Sequence, residues 1–150
     1  FEDINQFDIP KLKEIKNSIP DGFEILDIDK ELYSRCLKNN WSKDLVGNYE
    51  NYEDYSNKGI GVVLLDKEND VSGASSYCTF KSGIEIEIDT DENYRRRGYA
   101  FLSGASIILK CLEKGIYPSW DAHNKESIKL AKKLGYKIKR EYDAFELYKD

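Results

Sequence analysis

Apolar and acidic residues alternate without a break from position 84 to 89, where Ile84, Ile86 and Ile88 are interleaved with Glu85, Glu87 and Asp89. A period of two predicts a half-buried strand, isoleucines toward a core and carboxylates on the opposite face. Further on the period lengthens: Phe101, Leu102, Ala105, Ile108, Leu109 and Leu112 share one side of a helix that Gly115 stops. Upstream, residues 10–18 predict a short helix with Pro10 in its first turn, broken by Ile19-Pro20-Asp21-Gly22. A strand over 23–28 follows, then a helix capped by Asp29 with Leu32, Tyr33, Cys36 and Leu37 on one face. Residues 41–54 are polar and aromatic and predict one short helix. Strands over 61–66 and 71–79 are joined by the polar turn Lys67-Glu68-Asn69-Asp70 and lead into the 84–89 strand. After Gly115 come a strand over 116–120, a helix burying Ile128, Ala131 and Leu134, and two final strands over 136–140 and 144–148. Strands and helices in this order predict an α/β (α+β) domain built on a mixed sheet.

Between the acidic strand and the long helix stands Arg95-Arg96-Arg97-Gly98-Tyr99-Ala100. A turn ending in glycine at a helix start lets backbone N–H groups converge on an anion, at the positive end of the helix dipole. Neither common phosphate motif is present: no lysine and hydroxyl follow Gly98, and no G-x-G-x-x-G follows the strand.

The rest of the composition narrows the ligand. The 150 residues suit one domain with a substantial core, and the net charge of -5 argues against nucleic acid as a partner. A local arginine cluster in an acidic chain favours a small anionic ligand over a polyanion. No apolar run is long enough to cross a membrane and the start lacks a signal-peptide pattern, so a cytoplasmic location is expected. Because the sequence begins at Phe1, a further N-terminal region upstream is also expected. Cys36, Cys78 and Cys111 are widely spaced and odd in number, which predicts reduced core thiols. With His123 as the sole histidine, no histidine-based metal cluster is available, and no metal is expected.

Arg95, Gly98 and Ala100 match the R/Q-x-x-G-x-G/A signature, and Asn124, Ser127, Leu130, Ala131, Lys133, Gly135 and Tyr136 are similar to the N-x-x-A/S-x-x-L-Y/A-x-K-x-G-F/Y segment of the GNAT acyltransferase superfamily. More narrowly, Trp41-Ser42, 72–76, Glu85-Ile86-Glu87 and Ser119-Trp120-Asp121-Ala122 resemble a bacterial branch that includes zwittermicin-resistance-like acetyltransferases. The resemblance implies a splayed mixed sheet of about six to seven strands with helices on both faces. Residues 23–150 would form the acyltransferase domain and 1–22 a helical extension or linker remnant. It also implies acetyl-CoA as co-substrate. Its pantetheine arm would pair with backbone of Ile88, Asp89 and Thr90, its pyrophosphate would sit on Arg95, Arg96, Arg97, Gly98, Tyr99 and Ala100, and Asn124 and Ser127 would lie along the arm. Asn124 equally suits an N-cap for the following helix.

Acyl transfer to an amine needs a neutral lone pair, and therefore a base. Glu87 is the first candidate and Glu85 the second, with Asp89 and Asp91 after them; the same carboxylates suit the binding of a cationic amine. Many family members protonate the departing thiolate with a tyrosine in the second motif, where this chain has Ala131. Ser127, Tyr117, Tyr136 or water are the substitutes, and His123 is a further relay candidate. The expected activity is acetyl transfer to a small, cationic amine through a direct ternary complex. The alternative is a degenerate module that binds acyl-CoA or a protein partner without turnover. The oligomeric state stays open.

Overall fold

The computed structural model describes residues 6–81, 83–121 and 124–137. Five strands form one sheet in the order β1 (Phe23–Asp27), β2 (Gly61–Asp66), β3 (Asn69–Phe80), β4 (Gly83–Thr90) and β5 (Tyr117–Ser119). The first four are antiparallel neighbours and β4 pairs with β5 in parallel. The helices are α1 (Ile9–Asn17), α2 (Lys30–Lys38), α3 (Tyr52–Lys58), α4 (Tyr99–Glu113) and α5 (Lys125–Leu134). Single 3₁₀ turns cover Lys43–Leu45 and Glu92–Tyr94.

The sheet is covered on both faces, and β2 shows why its sequence is an unbroken apolar run. Val62 and Leu64 enter one core with Leu12, Ile84, Ile107, Ile108 and Leu134. Val63 and Leu65 enter the other with Leu32, Tyr33, Leu45, Val46 and Tyr55. A strand buried on both faces loses alternation and keeps only apolarity. Helix α4 is buried over most of its surface, including Ser103, Gly104 and Ser106. Its Gly104 admits close approach, since a Cβ there would lie 2.7 Å from Leu134 Cδ1 and 3.3 Å from Ile88 Cδ1. Strand β4 is therefore clamped to α4 through its isoleucine face, and its carboxylate face points away from that helix.

Several boundaries move for local reasons. Asp8 caps α1 by accepting from Lys11 N–H, and Asp29 caps α2 through Leu32 N–H as the sequence predicts. The β2–β3 turn is tighter than the predicted four residues: Asp66 pairs with Asn69, leaving Lys67 and Glu68, with Lys67 in the left-handed region at φ 57°. Strand β5 starts one residue late because Ile116 N–H donates to Cys111 C=O in the cap of α4. Cys36 and Cys111 are core thiols, but Cys78 is exposed, at the register shift between Ser76 and Cys78 on β3. The sheet has five strands among the described residues, against an expected six to seven. The last two expected strands lie outside the described residues apart from Tyr136 and Lys137. Among the described residues no helix is long and apolar enough to cross a membrane.

Candidate active site

Strand β4 is paired along its whole length with β3 but meets β5 only through Gly83, Ile84 and Glu85. Among the described residues its C-terminal half therefore has an open edge. Asp91 N–H donates to Val71 C=O on the β3 side, so by the alternation of a strand the backbone groups of Ile88 and Thr90 face the open side. Arg95 Nε donates to Thr90 C=O at 3.3 Å. Such an edge offers main-chain donors and acceptors to an extended ligand in the manner of an added strand.

The edge runs into the arginine turn. Arg96 and Gly98 both occupy left-handed conformations, at φ 66° and 82°. Turns that include left-handed residues gather successive N–H groups into an anion-binding concavity. Gly98 caps α4 with no side chain to satisfy the first N–H groups of the helix, and a Cβ built on it meets no atom within 4 Å. The turn thus presents free space in front of convergent donors. Acetyl-CoA fits this arrangement: Ile88 and Thr90 would hold an amide-bearing arm and the turn from Arg96 to Ala100 a pyrophosphate. The arginine side chains are partly occupied, Arg95 on Thr90 C=O and Arg97 stacked over Tyr94 with Cζ 5.7 Å from the ring centroid. Arg96 is exposed. Beside the turn an open polar cleft of about 380 Å³ lies between Asp91, Tyr94, Trp41 and the Arg35–Asp70 ion pair.

The other face of β4 carries Glu87 and Asp89. Glu87 stands opposite Ser75 of β3, whose hydroxyl is 2.9 Å from Tyr55 OH, and Asp89 stands opposite Gly73. The missing side chain at Gly73 is what lets the 43–45 turn descend on the sheet, because a Cβ there would lie 2.6 Å from Leu45 Cδ1. That descent brings Asp44 into the field of both carboxyls. Burial, the hydrogen bond to Asp89 and the negative charges of Asp89 and Asp44 push Glu87 up to about 8. Asp89 is also raised, first by burial; its bond with Glu87 and the charge of Arg95 oppose the shift, while Asp44 reinforces it.

Sequence reasoning placed Glu87 correctly on this face but missed Asp44, since nothing in 41–54 signals which residue reaches the sheet; the glycine inside the β3 pattern was the available clue. Glu85 lies where β4 still pairs with β5, opposite Ser119, short of the open edge. Asp89 does not join the open edge as expected. Its carbonyl accepts from Ser72 Oγ at 3.3 Å on the β3 side, and its side chain faces Glu87. Asn124 caps α5, its Oδ1 accepting from Ser127 N–H at 2.8 Å. Ala131 is buried, and Tyr136 donates its hydroxyl to Pro118 C=O at 2.5 Å, which removes it as a ready proton source. Tyr117 OH accepts from Gln6 Nε2. His123 lies outside the described residues.

The raised Glu87 carboxyl has a stability consequence with a definite sign. Its folded value lies above the ordinary 4.5, so its contribution is fully present below about 4.5 and is lost as pH rises through about 8. Glu87→Gln removes that burden. Thermal melts are expected to show the variant more stable than the parent chain at about pH 9, with the gap closing toward about pH 5.

A GNAT acetyltransferase family profile matches residues 1–145. The chain belongs to this family. The GNAT chain is 33% identical over 133 residues to the uncharacterized N-acetyltransferase YdfB of Bacillus subtilis (strain 168), covering 85% of this chain and 49% of that protein. It is 49% identical to a GCN5-related N-acetyltransferase-like protein from Streptococcus suis 89/1591, with a TM-score of 0.87, over 89% of this chain and 53% of that one. The chain thus spans about half the length of these relatives. A GNAT family acetyltransferase from Elizabethkingia anophelis solved with acetyl-CoA bound shares the fold, with a TM-score of 0.59 at 18% identity over 80% of this chain and 79% of that one. In this GNAT domain β4 and β5 pair only over Gly83–Glu85, which leaves the C-terminal half of β4 open among the described residues.

Proposed function

We propose that this GNAT domain transfers an acetyl group from acetyl-CoA to the amine of a small, cationic acceptor within a direct ternary complex. The observation that carries this reading is a convergence at the end of β4. One strand leads its free backbone edge into an anion-binding turn and carries on its far face a carboxyl poised at about 8. Ile88 and Thr90 would align the thioester arm and the Gly98 turn would anchor its phosphate end. Glu87 would take a proton from the incoming ammonium, and Asp44 and Asp89 would favour a cation over a neutral acceptor. Asn124 and Ser127, at the start of α5, would lie toward the arm through donors that the cap leaves spare.

One observation favours a second reading, a module that binds acyl-CoA without turnover. Ala131 is buried where the family motif has its tyrosine, and the hydroxyls of Tyr117 and Tyr136 are engaged with Gln6 and with Pro118 C=O. A thiol with a pKa of roughly 8.5 nevertheless leaves readily as its anion, which weakens that objection. Calorimetric titration with acetyl-CoA and with CoA, joined to thiol release over a panel of mono- and polyamines, separates the readings. Binding with amine-dependent thiol release supports transfer; binding without release for any amine supports the module; no binding of either ligand rejects both for this chain.

A further inference from the structure

Glu87 and Asp89 are two residues apart on one strand and so share a face of the sheet. Asp89 Oδ2 is buried and has no hydrogen-bond partner among protein donors. The hydroxyls around the pair are already committed. Ser75, opposite Glu87, is bonded to Tyr55 OH and lies 3.4 Å from Ile60 C=O. Ser72, Thr90 and Ser103 bond one another on the α4 side of the sheet, the face away from the two carboxyls. Gly73, opposite Asp89, has no side chain to give. The donor that the pair itself carries is a carboxyl proton, and side-by-side carboxyls that share one proton satisfy each other.

We propose that Asp89 is a positioning residue, whose carboxylate accepts a hydrogen bond from the Glu87 carboxyl, so that the two side chains hold one proton as a unit and Asp89 sets the basicity of Glu87. The inference rests on the reading of Glu87 as the acceptor's base. Several charged and titratable groups face this pair. Asp44 descends from the 43–45 turn and adds a third negative charge. Arg95, from the turn after β4, acts on Asp89 with a positive charge that favours its ionised form. Glu85 precedes the pair on β4, while Tyr55 from α3 and Tyr49 before it are neutral hydroxyls bound to Ser75 and Ser76.

The consequence is chemical. An ordinary carboxylate is roughly six pH units less basic than a lysine-like amine and is a poor acceptor of its proton. A carboxylate whose conjugate acid is held by a neighbouring anion comes within a few units of the amine, where general-base transfer is effective. The step starts from the ionised form of Glu87, which grows as pH rises toward about 8: the proton leaves the ammonium nitrogen, forms the O–H bond of Glu87 and is held there by Asp89, which restores the one-proton pair, and the freed nitrogen lone pair is then available for attack.

The test needs neither cofactor nor turnover, so its failure is separable from failure of the acetyltransferase reading. The chain is prepared with glutamate labelled at the side-chain carboxyl carbon, Glu87 is assigned through Glu87→Gln, and its signal is followed by NMR across the pH range. The expected midpoint is about 8 in the parent chain, and at least about one pH unit lower in Asp89→Asn, whose amide donates to the ionised carboxylate instead. An unmoved midpoint overturns the proposal. Asp89→Ser gives a second variant, and aspartate labelling of the parent chain needs none: the Asp89 carboxyl carbon must respond at the Glu87 midpoint, and silence there overturns the pair. Where the chain acetylates an amine, the acid limb of the kcat/KM profile is expected to move down by the same interval in Asp89→Asn, a change that a merely structural role would not produce.

Discussion

Glu87→Gln is expected to lower kcat for amine acetylation by about 10²–10⁴ while leaving the Kd for acetyl-CoA within about twofold. The amide keeps the volume of the carboxyl and can still bond to Asp89, so β4 and the turn beyond it retain their geometry. What is lost is the one group on the carboxylate face raised to about 8, carried by the half of β4 whose edge is open among the described residues. In the parent chain the ionised form of Glu87 grows as pH rises toward about 8. The kcat/KM profile should therefore climb about tenfold per pH unit below that value and flatten above it. The variant should lack this limb, because glutamine does not titrate. Stopped-assay rates with a good amine, alongside calorimetric titration, measure both quantities. A variant as fast as the parent would remove Glu87 from the chemistry. Parallel losses in rate and in acetyl-CoA affinity would assign it to cofactor binding instead.

Residues whose roles are local were legible, and residues whose roles depend on approach were not. The alternation of Ile84, Ile86 and Ile88 with three carboxylates fixes both the strand and its two faces, and the glycine at 98 marks the helix start because only a left-handed cap suits it there. Asn124 and Asp29 act as caps through contacts three residues away, within reach of sequence reasoning. By contrast, Asp44 joins the site only because Gly73 lets Leu45 press on β3, a contact across 28 positions that no periodicity records. Tyr136 is spent on the carbonyl of Pro118, 18 residues away, so its availability as an acid is decided by packing. The exposure of Cys78 follows from a register shift beside Ser76, which reverses the side a residue faces without altering the hydrophobic pattern. The role of Asp89 was legible in kind but not in orientation: strand alternation puts it on the acidic face, and only the pairing with β3 shows which way its carbonyl turns.

Gly98→Trp is expected to weaken acetyl-CoA binding by at least about 100-fold, a loss of about 2.8 kcal/mol, and comparison with Gly98→Ala divides that loss into its causes. At φ 82° any side chain strains the backbone, by about 1–2 kcal/mol. Alanine adds only that, because its Cβ meets no atom within 4 Å. Its affinity should fall by no more than about tenfold, with a small drop in Tm. Tryptophan carries the same backbone cost and a similar drop in Tm, but its indole projects into the space before the N–H groups of the turn and competes with the phosphates for it. The difference between the two variants thus measures occupancy of the anion seat, free of strain. Equal losses would place the effect in the backbone, and parent-like affinity in the tryptophan variant would show that phosphate does not bind at this turn. A sulfate or pyrophosphate competition run on the parent chain and on Gly98→Trp reads the same seat without the rest of the cofactor, since a site built from backbone donors at a helix N-terminus recognises the anion itself.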